Sequence, residues 1–128
     1  MLLLTFEGID GSGKSTQAQR LDEHLRAQGH ETLLVREPGG TELSEKIRAL
    51  LLEPEVNVHP MAELLLFSAA RTQLVAERIR PALEAGRIVI CDRFYDSTTA
   101  YQGAGRGVAD PAWLQSFHHR VTEGLVPN

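Results

Sequence analysis

Within FEGIDGSGKST, residues 6–16, Gly8, Gly13, Lys14 and Ser15 fit the spacing G-x-x-x-x-G-K-[ST]. Those residue types suit one task, the grip of an oligophosphate. Glycines let backbone amides wrap a phosphate without Cβ clashes. The lysine bridges the outer phosphates, and the hydroxyl after it ligates Mg²⁺. The candidate cradle is Gly8, Asp10, Gly11, Ser12, Gly13, Lys14, Ser15 and Thr16. A glycine-rich turn with a surface lysine is the plainer reading, and the loop's place between a predicted strand and a predicted helix argues against it. A dinucleotide loop fails in detail, because Thr16 stands where its third glycine belongs and the lysine goes unexplained. A switch GTPase remains a rival. It would need a water-positioning residue and a guanine-reading N-K-x-D, which these 128 residues do not contain.

A second group of anion-binding types lies downstream, in DRFYDSTTAYQGAGRG, residues 92–107. In an open parallel sheet the carboxyl ends of strands line the ligand crevice, so Asp92 and Arg93 are expected to face the loop. Asp92 suits Mg²⁺, directly or through water. Arg93 is not needed for that ion and suggests a second phosphate, held bidentately. Arg48 and Arg71 are further candidates, although a lone arginine is more often a solvated surface side chain. Phe67 and Arg71 stand four apart on one face of a predicted helix. That pair could stack on a base and read its edge, but spacing alone favours core packing for Phe67 and a helix-surface Arg71.

The elements that must position these groups alternate along the chain. Leu2 to Phe6 is a short, almost wholly apolar strand. Lys14 to Gln28 is a helix with Ala18, Leu21 and Leu25 on one face, stopped by Gly29. Thr32 to Val35 is a second strand, REPGGT (36–41) a turn, and Glu42 to Leu52 a helix. Met61 to Ala85 is a longer helical stretch, broken or bent by Pro81. Arg87 to Cys91 is a third strand, and Asp96 to Ala100 a short helix. Asp110 and Pro111 form an N-cap and first position opening a last helix to about Thr122. Such alternation implies βαβ crossovers and a mostly parallel α/β sheet, expected as a single domain over 1–128.

Composition narrows the class further. Hydrophobic residues make up 42% and charged residues 23%, enough for a core. A net charge of −4 argues against a non-specific nucleic-acid binder. Cys91 is the only cysteine, which excludes an internal disulfide and a multi-cysteine metal site and fits a reducing compartment. Met1 leads directly into LLLTF, without a secretory pattern or a membrane-length apolar run, so no membrane partner and a cytoplasmic location are expected.

Taken together, FEGIDGSGKST, REPGGT, LLFSAARTQ and DRFYDSTTAYQGAGRG resemble the bacterial thymidylate kinases in order and spacing, over nearly the whole chain. The resemblance implies a P-loop NTPase-type parallel sheet, five-stranded in the complete family fold and three-stranded here, generally in a homodimer. It implies transfer of the ATP γ-phosphoryl to dTMP with Mg²⁺, giving dTDP. It assigns Lys14 and Ser15 to ATP and Mg²⁺, and sets Asp10 near the acceptor sugar and the reacting phosphates. Arg48 and Arg93 would bind the acceptor monophosphate, and the turn at Glu37 and Pro38 would border that pocket. Phe67 would stack on thymine, Arg71 would reach its exocyclic oxygen, and Thr98, Tyr101 and Gln102 would line the base and sugar. Lys14, Arg93 and Asp10 are the candidate catalytic groups. Two departures qualify the resemblance. The chain ends about where a fourth strand would begin, so a C-terminally truncated domain is expected, with exposed apolar sheet surface and doubtful activity. The loop position occupied by Asp10 carries no arginine, and the resemblance implies a catalytic arginine drawn from a lid absent from these residues, with Arg106 as a local candidate. Another nucleoside monophosphate kinase, and a nucleotide-binding module without catalysis, are the alternatives.

Overall fold

Three short runs rich in Leu, Ile and Val pair as a parallel sheet in the computed structural model, which describes residues 1–8, 13–94 and 110–128. The strands are β1 (Leu2–Phe6), β2 (Thr32–Arg36) and β3 (Ile88–Asp92), in the order β1-β3-β2. β3 lies in the middle, with Cys91 level with Thr5 on one side and Val35 on the other. A central parallel strand is covered on both faces, and Val89, Ile90 and Cys91 are accordingly fully buried. The register brings the carboxyl ends of all three strands, Phe6, Arg36 and Asp92, to one rim.

Helices α1 (Lys14–Ala27), α2 (Glu42–Leu52), α3 (Pro60–Leu74), α4 (Arg80–Glu84) and α5 (Pro111–Val121) complete the described residues. Thr41 caps α2 by accepting from the Ser44 N–H, and Asp110 caps α5 by accepting from the Trp113 N–H, as the sequence predicts for the latter. The expected apolar stripe of α1 is narrower than its spacing suggests. Ala18 is buried, Leu21 and Leu25 are only half-buried, and Asp22 is buried in their place. Asp22 accepts from Thr32 Oγ1 and from Arg26 Nε, so its charge is paired and hydrogen-bonded.

The stretch before Pro81 is adjusted rather than broken. A π-helical turn, Val75–Ile79, joins α3 to α4, and the Arg80 N–H reaches back to the Val75 carbonyl. Proline has no N–H and crowds the carbonyl four residues earlier, and one widened turn absorbs that conflict while the backbone stays helical.

Two edges of the sheet are handled differently. On β2 the Thr32 carbonyl accepts from both Arg26 and Arg87 beside a depression of about 440 Å³ at the amino ends of the strands, which blunts that edge. On β1 the Asn128 N–H donates to the Leu3 carbonyl and Asn128 Oδ1 accepts from the Leu3 N–H. Leu4 and Phe6 are half-buried and Leu2 is exposed, so the apolar exposure expected of a three-stranded sheet falls on the β1 side.

Candidate active site

The carboxyl rim of the sheet carries the chemistry. Gly13 opens α1 at φ 85°, a left-handed conformation that suits glycine, and supplies no side-chain cap. The first-turn amides of α1 are therefore left to an anion. Immediately inside the helix, Ser15 Oγ donates to Asp92 Oδ2 at 2.5 Å, and Lys14 Nζ lies 3.8 Å from Asp92 Oδ1. Residues 77 apart in sequence thus meet because β3 runs between β1 and β2 and ends beside the loop. A depression of about 300 Å³ opens there, lined in part by Ser15, Gln19, Arg36 and Asp92. Gly8 is described at the end of β1, whereas Asp10, Gly11 and Ser12 lie outside the described residues.

Past Asp92 the chain turns sharply. Arg93 adopts φ 76°, uncommon for a residue with a Cβ. Its N–H donates to the Phe6 carbonyl, and its own carbonyl accepts from the Cys91 thiol at 2.8 Å. Burial pushes the Cys91 thiol well up, so it remains a protonated donor. The turn sends Asp92 toward the lysine and serine, and Phe94 into the core.

On the other side of that turn sits a buried ion pair. Arg71 is 2% exposed, not the helix-surface side chain its spacing alone suggested. It reaches Glu37 Oε2 through Nε at 2.6 Å and Nη2 at 2.5 Å, and its guanidinium lies 5.5 Å from the centre of the Phe94 ring. Glu37, from the turn after β2, is 5% exposed. Burial pushes its carboxyl pKa up, and the charge and hydrogen bond of Arg71 oppose that. His118 of α5 is 1% exposed, and burial together with the Arg71 charge holds its pKa down at about 4. Phe67, one turn before Arg71, is half-buried and does not belong to the fully buried core.

The turn between β2 and α2 is fastened from several directions. Glu37 and Pro38 are joined by a cis peptide bond. Arg48 Nη1 donates to the Pro38 carbonyl at 3.0 Å, Arg78 Nη1 donates to the Gly40 carbonyl at 2.9 Å, and Glu45 Oε1 accepts from the Gly40 N–H at 3.0 Å. The rim thus brings together Lys14, Ser15 and Asp92 on one side and Glu37, Pro38, Arg48 and Arg71 on the other. Thr98, Tyr101, Gln102 and Arg106 lie outside the described residues, as does the expected helix over 96–100. Phe94, His118, Glu45 and Arg78 were not singled out from the sequence, and Cys91 only as the single cysteine. Only Phe94, next to Arg93, carried a positional hint; the others are defined by partners distant in sequence or by burial.

The rim thus sets a lysine, a serine and a carboxylate at the start of α1 on one side and a buried arginine–glutamate pair on the other. Among the described residues no group of three or more His, Cys, Asp or Glu side chains could hold a metal ion, and no helix is long and apolar enough to cross a membrane. A family model described as thymidylate kinase matches residues 6–127. The chain is 62% identical over 127 residues to thymidylate kinase of Chlorobium luteolum, covering 99% of this chain and 59% of that protein. It is 52% identical over 126 residues to thymidylate kinase of Deinococcus radiodurans, covering 98% of this chain and 61% of that protein. A crystal structure of thymidylate kinase from Ehrlichia chaffeensis superposes with a TM-score of 0.90 at 43% identity, over 98% of this chain and 70% of that one. The chain thus spans about three-fifths of the length of these curated relatives. With a matching family model over nearly all of its residues and a shared fold, the chain belongs to the thymidylate kinase family.

Proposed function

We propose that the rim is the substrate-side half of an ATP:dTMP phosphotransferase, with ATP on the loop before α1 and dTMP against the Arg71 side. The observation that carries this reading is the end of β3. Within three residues, Asp92 engages the loop lysine and serine while Phe94 lies against Arg71. A hydrolytic switch protein needs only the first of these sites; a nucleotide kinase needs both.

Lys14 and the α1 amides would hold the donor phosphates, with Gly8, Gly11, Ser12, Gly13 and Thr16 shaping the loop. Arg48 and Arg93 would hold the acceptor phosphate, Phe67 would stack on the base, and Arg71 would read its edge. Glu37 keeps that guanidinium in place. Asp10, Thr98, Tyr101 and Gln102 enter on the family resemblance alone. The acceptor is itself a phosphate oxygen, largely ionised at neutral pH because its second pKa is about 6. No general base is required. The barrier lies in bringing two polyanions into line, which the cationic side chains lower by preorganised charge.

Ser15 and Asp92 fit Mg²⁺, which favours hard oxygen ligands, few of them from protein. Asp92 Oδ1 accepts no hydrogen bond among the described residues and faces Lys14 Nζ at 3.8 Å, where such an ion would compete with the lysine. Mg²⁺ bound there would neutralise charge on the donor phosphates during transfer.

Homodimerisation, expected of the family, is supported by an apolar face. Leu43 and Leu50, seven apart on α2, and Leu65 on the neighbouring α3 are about half exposed. We place the protein in the cytoplasm, in keeping with its single buried cysteine.

The test is phosphoryl transfer from labelled ATP by the isolated chain to a panel of dTMP, AMP, GMP and CMP. Preferred transfer to dTMP is expected. Preference for another acceptor would sink the thymidylate assignment. Binding of both ATP and dTMP without transfer would instead identify a nucleotide-binding module.

A further inference from the structure

From the fastening of the turn at 36–41 we infer that this segment is a holder for Arg48 and Arg71, and that Glu45 and Arg78 are positioning residues for it. The inference rests on the acceptor-site reading above and goes beyond it, because neither residue reaches the rim chemistry itself.

Consider what each group in the turn does. Glu37 takes two bonds from Arg71, and the Pro38 carbonyl takes one from Arg48. Two of the three proposed acceptor-side guanidiniums, Arg48 and Arg71, are therefore aimed by atoms of this turn. A guanidinium is a planar fork whose direction decides whether it meets a phosphate or a base edge bidentately. Holding the turn fixes that direction.

Gly40 is the point at which the turn is held. Its N–H donates to Glu45 Oε1 at 3.0 Å and its carbonyl accepts from Arg78 Nη1 at 2.9 Å, so both polar groups of one residue are claimed by side chains. The remaining oxygen of Glu45 lies 3.6 Å from Arg36 Nη2, at the start of the same turn. The backbone closes tightly around these contacts. A Cβ on Gly39 would stand 2.5 Å from Glu45 Oε1, and one on Gly40 would stand 2.7 Å from Leu74 Cδ1, with both residues at positive φ. Bonding to the Gly40 N–H, the largest influence, and the nearby arginines hold the Glu45 carboxyl below its usual range. Glu45 is thus a carboxylate at neutral pH, accepting at the turn although it sits on the exposed face of α2. Arg78 reaches Gly40 from within the π-helical turn.

The test compares Glu45→Ala, Glu45→Gln and Arg78→Met with wild type in the full 128-residue chain. Two readouts are taken: hydrogen exchange of the Gly40 amide without ligand, and calorimetric affinities for dTMP and for ATP. Glu45→Ala is expected to speed Gly40 exchange at least tenfold and to weaken dTMP about tenfold, with ATP affinity changed less than about twofold. Glu45→Gln, whose amide oxygen can still accept the Gly40 N–H, should remain within about threefold of wild type in all three. Arg78→Met should weaken dTMP by about three- to fivefold. Wild-type exchange and dTMP affinity in Glu45→Ala would overturn the inference. So would equal losses of ATP and dTMP, which signify general loosening. If the wild-type chain binds ATP but not dTMP, the acceptor-site reading fails, and Gly40 exchange alone then decides whether Glu45 holds the turn.

Discussion

The two sides of the rim are built in opposite ways. The proposed donor side is a run of adjacent residues at the start of α1, joined by one carboxylate from β3. Its side chains are partly accessible, and none of them supports the core. The proposed acceptor side is assembled from the turn after β2, the last turn of α3, the end of β3 and α5, and its central ion pair, Glu37 with Arg71, is buried. A triphosphate brings its own charge to an open cradle, whereas recognition of one base requires walls that are already in place. On the proposed reading, the donor side is chemistry placed on the fold, and the acceptor side is part of the fold.

That difference predicts different failures. Removing one partner of a buried ion pair leaves an uncompensated charge, so Glu37→Ala should destabilise the chain by about 3–5 kcal/mol. Chemical denaturation would measure it, and a loss below about 1 kcal/mol would show that the acceptor wall is not structural. His118 should give the next largest effect. Its imidazole is held neutral in the fold, with a pKa near 4 against 6.5 unfolded. The unfolded chain then binds more protons between those values, so stability rises with pH across that window and is lost on acidification. The contribution is about 3 kcal/mol. A His118→Asn variant should show a correspondingly shallower dependence of stability on pH between about 4 and 6.5, and an unchanged slope would contradict the assignment.

On the donor side the outcome should invert. Lys14→Ala should weaken ATP by roughly 1.5–3 kcal/mol, the usual worth of a charged hydrogen bond, while the melting temperature stays within about 2 °C. Unchanged ATP affinity in calorimetry would contradict the loop assignment. The smallest effect belongs to Phe67→Ala, expected to weaken dTMP by roughly 1–3 kcal/mol. Since Phe67 is only half-buried, this should come with little loss of stability; the reverse pattern would return Phe67 to a packing role.

What was legible without coordinates follows the same division. The strands of this sheet are short apolar runs, and the glycine-lysine-serine pattern is contiguous, so local spacing was sufficient to read both. Helix ends were legible where a cap is a local bond, as at Asp110. Boundaries shifted by one residue at β2 and β3, because pairing rather than composition decides where a strand ends. At α1 the apolar spacing pointed to Leu25, but the buried place went to Asp22, which Thr32 and Arg26 satisfy.

The sequence by itself determined the alternation of strands and helices, the glycine-lysine-serine pattern and the family to which the motifs point, since each depends on residues close in the chain. Only the tertiary structure decided that Arg71 is a buried wall and not a surface charge, and that Glu37, 34 residues away, is its partner. It likewise decided that Glu45 and Arg78 close on Gly40. The reason is physical. A charged side chain prefers water unless a partner of opposite charge is brought to it without solvent between them, and distant partners are brought together by packing, which residue spacing does not encode.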